Sequence, residues 1–302
     1  MAPISTEYHH VDVFADRPYT GNSLAVFIDP PALDTGQMVR ITQELRHFET
    51  IFVTGPDTDG VAHARVFDLF EELAFAGHPV LGAAAVLHST SGTPVDEERR
   101  WTIALSARTV GVTTRGSTDG RIFALLDQGR PELAPDEPAG HRAKIAAALG
   151  LAAHDLDATL PPQVVSTGLR YLIVPVRDAD ALGRARIEHA DFEDFLRGFG
   201  AEFAYVLDPA ALEGRHWNND GVLEDVATGS AAGCVAAYLM RHGRAHDGRE
   251  LTLSQGRFVG RPGSITIAAH GRPDDIERVT VGGTVSTVGT GTLRALPPRQ
   301  RP

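Results

Sequence analysis

The sequence predicts an α+β protein of two pseudo-symmetric halves, residues 1–129 and 130–302, each a mostly antiparallel sheet wrapped around a central apolar helix. Three observations predict it. Two segments half a chain apart, Glu72-Leu-Ala-Phe-Ala-Gly77-His78-Pro79 and Glu224-Asp225-Val-Ala-Thr228-Gly229-Ser230, each set an acidic residue and a glycine turn ahead of a run of small and apolar residues. Those two runs are apolar on every side, and a helix apolar all round is buried. The strand-like segments ahead of the first turn have counterparts ahead of the second, so the repeat is one of whole supersecondary units.

Residues 8–14 form the first strand-like run and lead into Arg17-Pro18-Tyr19-Thr20-Gly21-Asn22, a turn by composition. Residues 24–28 read as a buried strand closed by Asp29-Pro30-Pro31. Asp34 is a suitable N-cap for a helix over 35–46, whose apolar face carries Met38, Ile41 and Leu45. Strands follow at 48–53 and 62–70, then the first glycine turn and its helix. Further strands are expected at 101–104, 110–114 and 122–126, and the proline-rich stretch 128–138 reads as the boundary between halves. The second half opens with a helix over 141–149. Ser166-Thr-Gly168 then precedes a strand over 171–176, as Thr20-Gly21 precedes the strand over 24–28. A helix near 192–199, a strand over 203–207 and Arg215-His216-Trp217 lead to the second glycine turn, as Arg65-Val66-Phe67 leads to the first.

The balance of 28 basic against 39 acidic residues gives a net charge of −11, and no stripe of Lys or Arg interrupts it. Nucleic acid is therefore not an expected partner. No long apolar run marks a membrane span, and the first residues lack the basic and apolar regions of a signal peptide, so the expectation is a cytoplasmic protein. A single cysteine, Cys234, excludes an intrachain disulfide and multi-thiolate zinc sites. The histidine pairs His9-His10 and His242/His246 have no accompanying ligand pattern, so no metal site is expected.

Chemistry is expected at the two turns. A helix start presents backbone N–H groups without helical partners and a partial positive charge, which together form an anion cradle. Two such starts facing one cleft would hold a small anionic substrate. Close packing explains the alanines of these helices but not His78 and Ser230, polar residues beside Gly77 and Gly229, nor Asp225 just upstream. Glu49 is the candidate base. It opens an apolar strand, and burial beside Phe48 and Phe52 would disfavour its charged form and suit it to taking and returning a proton.

These residues resemble the phenazine-biosynthesis PhzF family over nearly the whole chain. The resemblance rests on Val13-Phe14, Gly21-Asn22-Ser-Leu-Ala-Val26, Glu49-Thr-Ile-Phe-Val53, the two glycine turns, Ser166-Thr-Gly-Leu169, Gln255-Gly256, Gly260-Arg261-Pro262 and Val281-Gly-Gly283. It implies a diaminopimelate-epimerase-like fold, a homodimer, a site between the halves, and isomerisation of a dihydro-hydroxyanthranilate by a glutamate without cofactor or metal. By motif, Glu49 would be the proton shuttle and His78 and Asp225 would contact or polarise the substrate. Gly77, Gly229 and Ser230 would cradle its carboxylate, with Asn22 and Thr228 as further substrate-binding positions. Epimerases and racemases similar in fold use one cysteine from each glycine turn. Ala76 and Thr228 stand at those places here, which leaves a single carboxylate working on one face. The chain departs from the family pattern at His47-Phe48, where a small serine commonly precedes the glutamate, at Val226, where proline is common, and at Trp217-Asn218-Asn219. The function expected is a cofactor-independent isomerase of a small cyclic or conjugated carboxylic acid in secondary metabolism. The alternatives are a non-catalytic acid-binding protein of the same fold, or a hydrolase or epimerase variant.

Overall fold

In a computed structural model, residues 5–137 and 139–299 are described. The chain divides into two units, Met1–Asp127 with Gly282–Pro302, and Gln128–Val281. A single division after residue 129 would leave the closing segment with the second half. Its antiparallel pairing with the first strand, from Thr6↔Leu293 to Val13↔Val285, places it in the first unit instead.

The first unit contains β1 (Thr6–Val13), β2 (Asn22–Ile28), α1 (Thr35–Leu45), β3 (Glu49–Thr54), β4 (Val61–Phe67), β5 (Glu72–Leu73), α2 (Gly77–Thr90), β6 (Glu98–Ala104), β7 (Thr109–Gly116) and most of β8 (Ile122–Gly129). Its strands run in the order β1-β2-β3-β4-β6-β7-β8. Two pairs are parallel, β2–β3 across α1 and β4–β6 across α2, and the rest are antiparallel. Asp34 caps α1 as expected: its carboxylate accepts from the Gln37 N–H at 2.8 Å while the Gln37 side chain accepts from the Asp34 N–H at 3.1 Å. Met38 and Ile41 of this helix bury against Ala25, Phe27, Phe52 and Phe67 on one face of the sheet. The opposite face holds α2, buried along nearly its whole length. A Cβ at Gly82 would lie 2.4 Å from Leu24 Cδ2, so the absence of a side chain there lets α2 seat directly on β2.

The second unit repeats the plan with β9 (Glu132–Asp136), α3 (Arg142–Ala148), β10 (Gln163–Ser166), β11 (Arg170–Pro175), α4 (Ala179–Arg184), α5 (Phe192–Arg197), β12 (Phe203–Asp208), β13 (Glu213–Arg215), α6 (Gly229–Arg241), β14 (Leu251–Gln255), β15 (Gly263–Arg272) and the start of β16 (Asp275–Leu293). Strand order is β15-β14-β13-β12-β11-β10-β9. The parallel pairs again span helices, β11–β12 across α4 and α5, and β13–β14 across α6. Buried α6 packs on β10, β11 and β15, while α3, α4 and α5 supply Ile145, Leu182, Phe192 and Phe195 to the other core.

Several elements differ from expectation. The strand expected over 62–70 stops at Phe67 because the Asp68 carboxylate accepts the N–H groups of Phe70 and Glu71, both at 2.7 Å, and turns the chain. The stretch expected as a boundary carries β9, which lies at the end of the strand order, where its Pro135 is tolerated. No element is expected from the sequence at α4, β10, β13, β14, β15 or β16, although Leu251-Thr-Leu253 and Ile265-Thr-Ile267 alternate as strand residues do.

Burial makes this fold sensitive to mild acid. It holds the His88 and His216 imidazoles, 2% and 6% exposed, below their ordinary value, and also lowers His242 against an opposing pull from Asp136. Below about pH 6.5 the unfolded chain takes up protons that the folded chain refuses, so stability is complete above that pH and is lost as pH falls through it. Urea midpoints are expected to stay level from about pH 8 to 7 and to drop as the pH falls below about 6.5. A midpoint level across the whole range would contradict this account.

Candidate active site

Glu49, the first residue of β3, stands in parallel register with Leu24 of β2. Because side chains alternate across a strand, Glu49, Leu24 and Asn22 share the sheet face that carries α2. The Glu49 side chain is 20% exposed, and its Oε2 lies 3.5 Å from Nδ1 of His78, which is 10% exposed. His78 and Gly77 are the first residues of α2. Ala76 at the N-cap has no polar side chain, and the first turn holds no acidic residue. A helix start of this kind carries the N–H groups and partial positive charge that favour an anion. Phe52, expected to bury Glu49, points to the opposite face into the cluster with α1, because residues three apart on a strand face opposite ways; Phe48 is 39% exposed. The imidazole of His78, rather than an aromatic wall, is therefore the defining neighbour of the carboxylate.

In the second unit Thr228 is the N-cap of α6, ahead of Gly229 and Ser230. Its hydroxyl donates to Asp225 Oδ2 at 2.6 Å. The Ser230 hydroxyl lies 2.8 Å from the Tyr171 hydroxyl, and the Gln128 amide donates to the Gly229 carbonyl at 3.0 Å. Tyr171 is fully buried, which pushes its phenol upward and keeps its proton in place. The structure thus brings Glu49 to His78 at the start of α2, with Asn22 on the same sheet face, and gathers Asp225, Thr228, Gly229 and Ser230 about the start of α6.

The acidic residues that open the two repeats have a different task. Glu72 takes a two-pronged bond from Arg65, at 2.8 and 2.5 Å, and Glu224 one from Arg215, at 3.0 and 2.7 Å. Each guanidinium also lies over the ring two residues on, Phe67 at 5.1 Å and Trp217 at 4.4 Å. These pairs brace the chain before each glycine turn. Arg215 and Glu224 are 10% and 8% exposed, so Glu224→Ala would leave a buried cation and is expected to cost about 3 kcal/mol in urea unfolding, with much of it recovered when Arg215→Met is added. A loss below about 0.5 kcal/mol would mean the pair is no more than a surface ion pair.

The family model of the PhzC-PhzF phenazine biosynthesis-like proteins matches residues 11–291. The chain belongs to the PhzC-PhzF family. It is 34% identical over 292 residues to a trans-2,3-dihydro-3-hydroxyanthranilate isomerase of Pseudomonas fluorescens, covering 95% of this chain and 98% of the relative. Among solved structures it is similar to a protein of Pseudomonas aeruginosa described as a predicted epimerase, with 46% identity, a TM-score of 0.85 and coverage of 95% and 99% of the two chains. A PhzF-family phenazine biosynthesis protein of Bacillus anthracis, 23% identical, shares the fold with a TM-score of 0.82 over 96% and 99%. The fold is the diaminopimelate-epimerase-like α+β fold, and the curated relatives of this PhzC-PhzF protein are isomerases.

Within this PhzC-PhzF chain, Cys234 is buried in the middle of α6 and burial pushes its thiol up to about 12, far from the thiolate that a cysteine base requires. Among the described residues no group of three or more His, Cys, Asp or Glu side chains is placed to hold a metal ion, and no helix is long and apolar enough to cross a membrane. The supporting side chains Gln128, Tyr171, Tyr205 and Gln255 escaped sequence reasoning. Tyr171 reads only as the start of a strand, and Gln255 stands in a matched motif that carries no visible role without its neighbours.

Proposed function

We propose that this PhzC-PhzF protein isomerises a small cyclic or conjugated carboxylic acid of secondary metabolism by moving one proton with Glu49, with no cofactor in the mechanism. The observation that carries the proposal is the Glu49–His78 pair, two proton-handling groups 3.5 Å apart and largely shielded from water at a helix start. The Glu49 carboxylate removes a proton from a carbon next to the unsaturated system. Electron density then shifts across the conjugated carbons, and the protonated Glu49 returns the proton at the far end, so the double bond moves and the transfer stays on one face. His78 holds Glu49 or the polar end of the substrate. The helix starts at Gly77 and at Gly229 with Ser230 are the anion-receiving groups of the proposal, through their N–H groups. Asn22 and Thr228 bind the polar groups of the substrate, and Asp225 polarises it in the reaction, the Asp225 carboxylate being oriented by the Thr228 hydroxyl. A cytoplasmic homodimer completes the proposal.

The compound to assay first is trans-2,3-dihydro-3-hydroxyanthranilate, named for the P. fluorescens relative. Proton NMR of the reaction is expected to show a shifted double bond with no atom gained or lost. Saturable binding with unchanged substrate would instead mark an acid-binding protein, addition of water a hydratase or hydrolase, and inversion of one carbon an epimerase.

A further inference from the structure

We propose that Gln255 is a positioning residue: its carboxamide, steadied by the Tyr205 phenol, dictates the direction of the Thr228–Asp225 hydrogen bond and thereby aims the Asp225 carboxylate. The proposal rests on Asp225 serving the reaction as set out above.

Gln255 ends β14 and is 1% exposed. Its Nε2 donates to the Asp225 carbonyl and to the Thr228 hydroxyl, both at 2.9 Å. Its Oε1 accepts from the Tyr205 hydroxyl at 3.0 Å and from the Thr228 N–H at 3.2 Å. Both amide protons and both oxygen lone pairs are thereby used, so the carboxamide has one orientation and no alternative flip. The consequence falls on Thr228. Its hydroxyl oxygen already receives a proton from Gln255, so its own proton is committed to Asp225 Oδ2 at 2.6 Å. Next in sequence, Gly256 has φ +89°, and a Cβ there would lie 2.5 Å from the Val226 carbonyl oxygen, so the backbone of this segment rests directly on the turn it orders. One carboxamide thus ties four points around the start of α6. Such a buried network specifies a single arrangement only when all its members are satisfied.

Gln255→Glu keeps the shape but replaces two donors with acceptors. The Thr228 proton then turns to the new carboxylate and leaves Asp225. On trans-2,3-dihydro-3-hydroxyanthranilate, kcat is expected to fall about 10–100-fold with KM within about threefold, the signature of a misaimed group. Thr228→Val should lose a similar factor, and Thr228→Ser, which keeps the hydroxyl, should recover at least about tenfold of it. The double variant Gln255→Glu/Thr228→Val should sit within about threefold of the worse single variant, because both act through one hydroxyl. Tyr205→Phe, which removes a single donor, serves where Gln255→Glu does not fold, with an expected fall of about 3–10-fold. Amide hydrogen exchange gives a reading independent of turnover: residues 225–230 should exchange faster in either variant, while residues 163–175 keep wild-type protection. Multiplicative losses in the double variant, unchanged exchange at 225–230, or equal loss of protection throughout the unit would each overturn the positioning role. Wild-type protein that leaves the substrate unconverted while the exchange pattern appears as expected would refute the reaction and uphold the geometry.

Discussion

Glu49→Gln is expected to lower kcat by about 10²–10⁴-fold with little change in fold, since general acid–base groups contribute on that scale. Glutamine matches the shape of glutamate and can keep a hydrogen bond at the position 3.5 Å from His78 Nδ1, so substrate binding and packing are retained while the exchangeable proton is lost. The thermal midpoint should move by no more than about 4 °C, the equivalent of roughly 1 kcal/mol in a protein of this size. KM should change much less than kcat, because the interaction removed belongs to the transition state. Steady-state kinetics with a melting curve on the same preparation checks both parts. Turnover within twofold of wild type would remove Glu49 from the reaction.

Gly256→Ala is expected to destabilise by about 3 kcal/mol, lowering the midpoint by roughly 6–12 °C. At φ +89° an added Cβ would lie 2.4 Å from the Arg261 carbonyl oxygen and 2.5 Å from that of Val226. Both obstacles are backbone and cannot swing aside, so overpacking adds to the strain of a left-handed conformation. Gly243→Ala separates the two causes. That glycine has φ +68° but no atom within 4 Å of a built Cβ, so only the conformational cost of about 1 kcal/mol should appear. Equal losses in the two variants would show that packing against the turn carries no weight.

Much of the fold could be read locally because local chemistry dictates it. Asp34 and Gln37 announce the start of α1, and the two glycine turns announce α2 and α6. The position of Glu49 at the head of a strand was legible from the apolar run behind it. The face it occupies was legible too, since strand alternation places Phe52 on the opposite side, yet proximity in sequence suggested a contact that the pleat forbids. The return of β16 to β1 was not legible. Pairing Thr6 with Leu293 depends on the whole intervening chain having folded, and no window of sequence encodes it. The partners of Glu72 and Glu224 were hidden for a related reason: Arg65 and Arg215 reach them across the Phe67↔Glu72 and Trp217↔Glu224 pairings, not along a helix. The role of Gln255 depends on four hydrogen bonds to three residues in two other stretches, so its chemistry emerges only once β14, β12 and the α6 turn are brought together.

The central claim is that one carboxylate removes a proton and gives the same proton back. Substrate deuterated at the donor carbon, turned over once in ordinary water, tests it most directly. The account predicts that a measurable share of the deuterium reappears at the receiving carbon, on the face it left, and that this transfer vanishes in Glu49→Gln. Complete loss of the label to solvent with a proton delivered to the opposite face would contradict it and would require a second base.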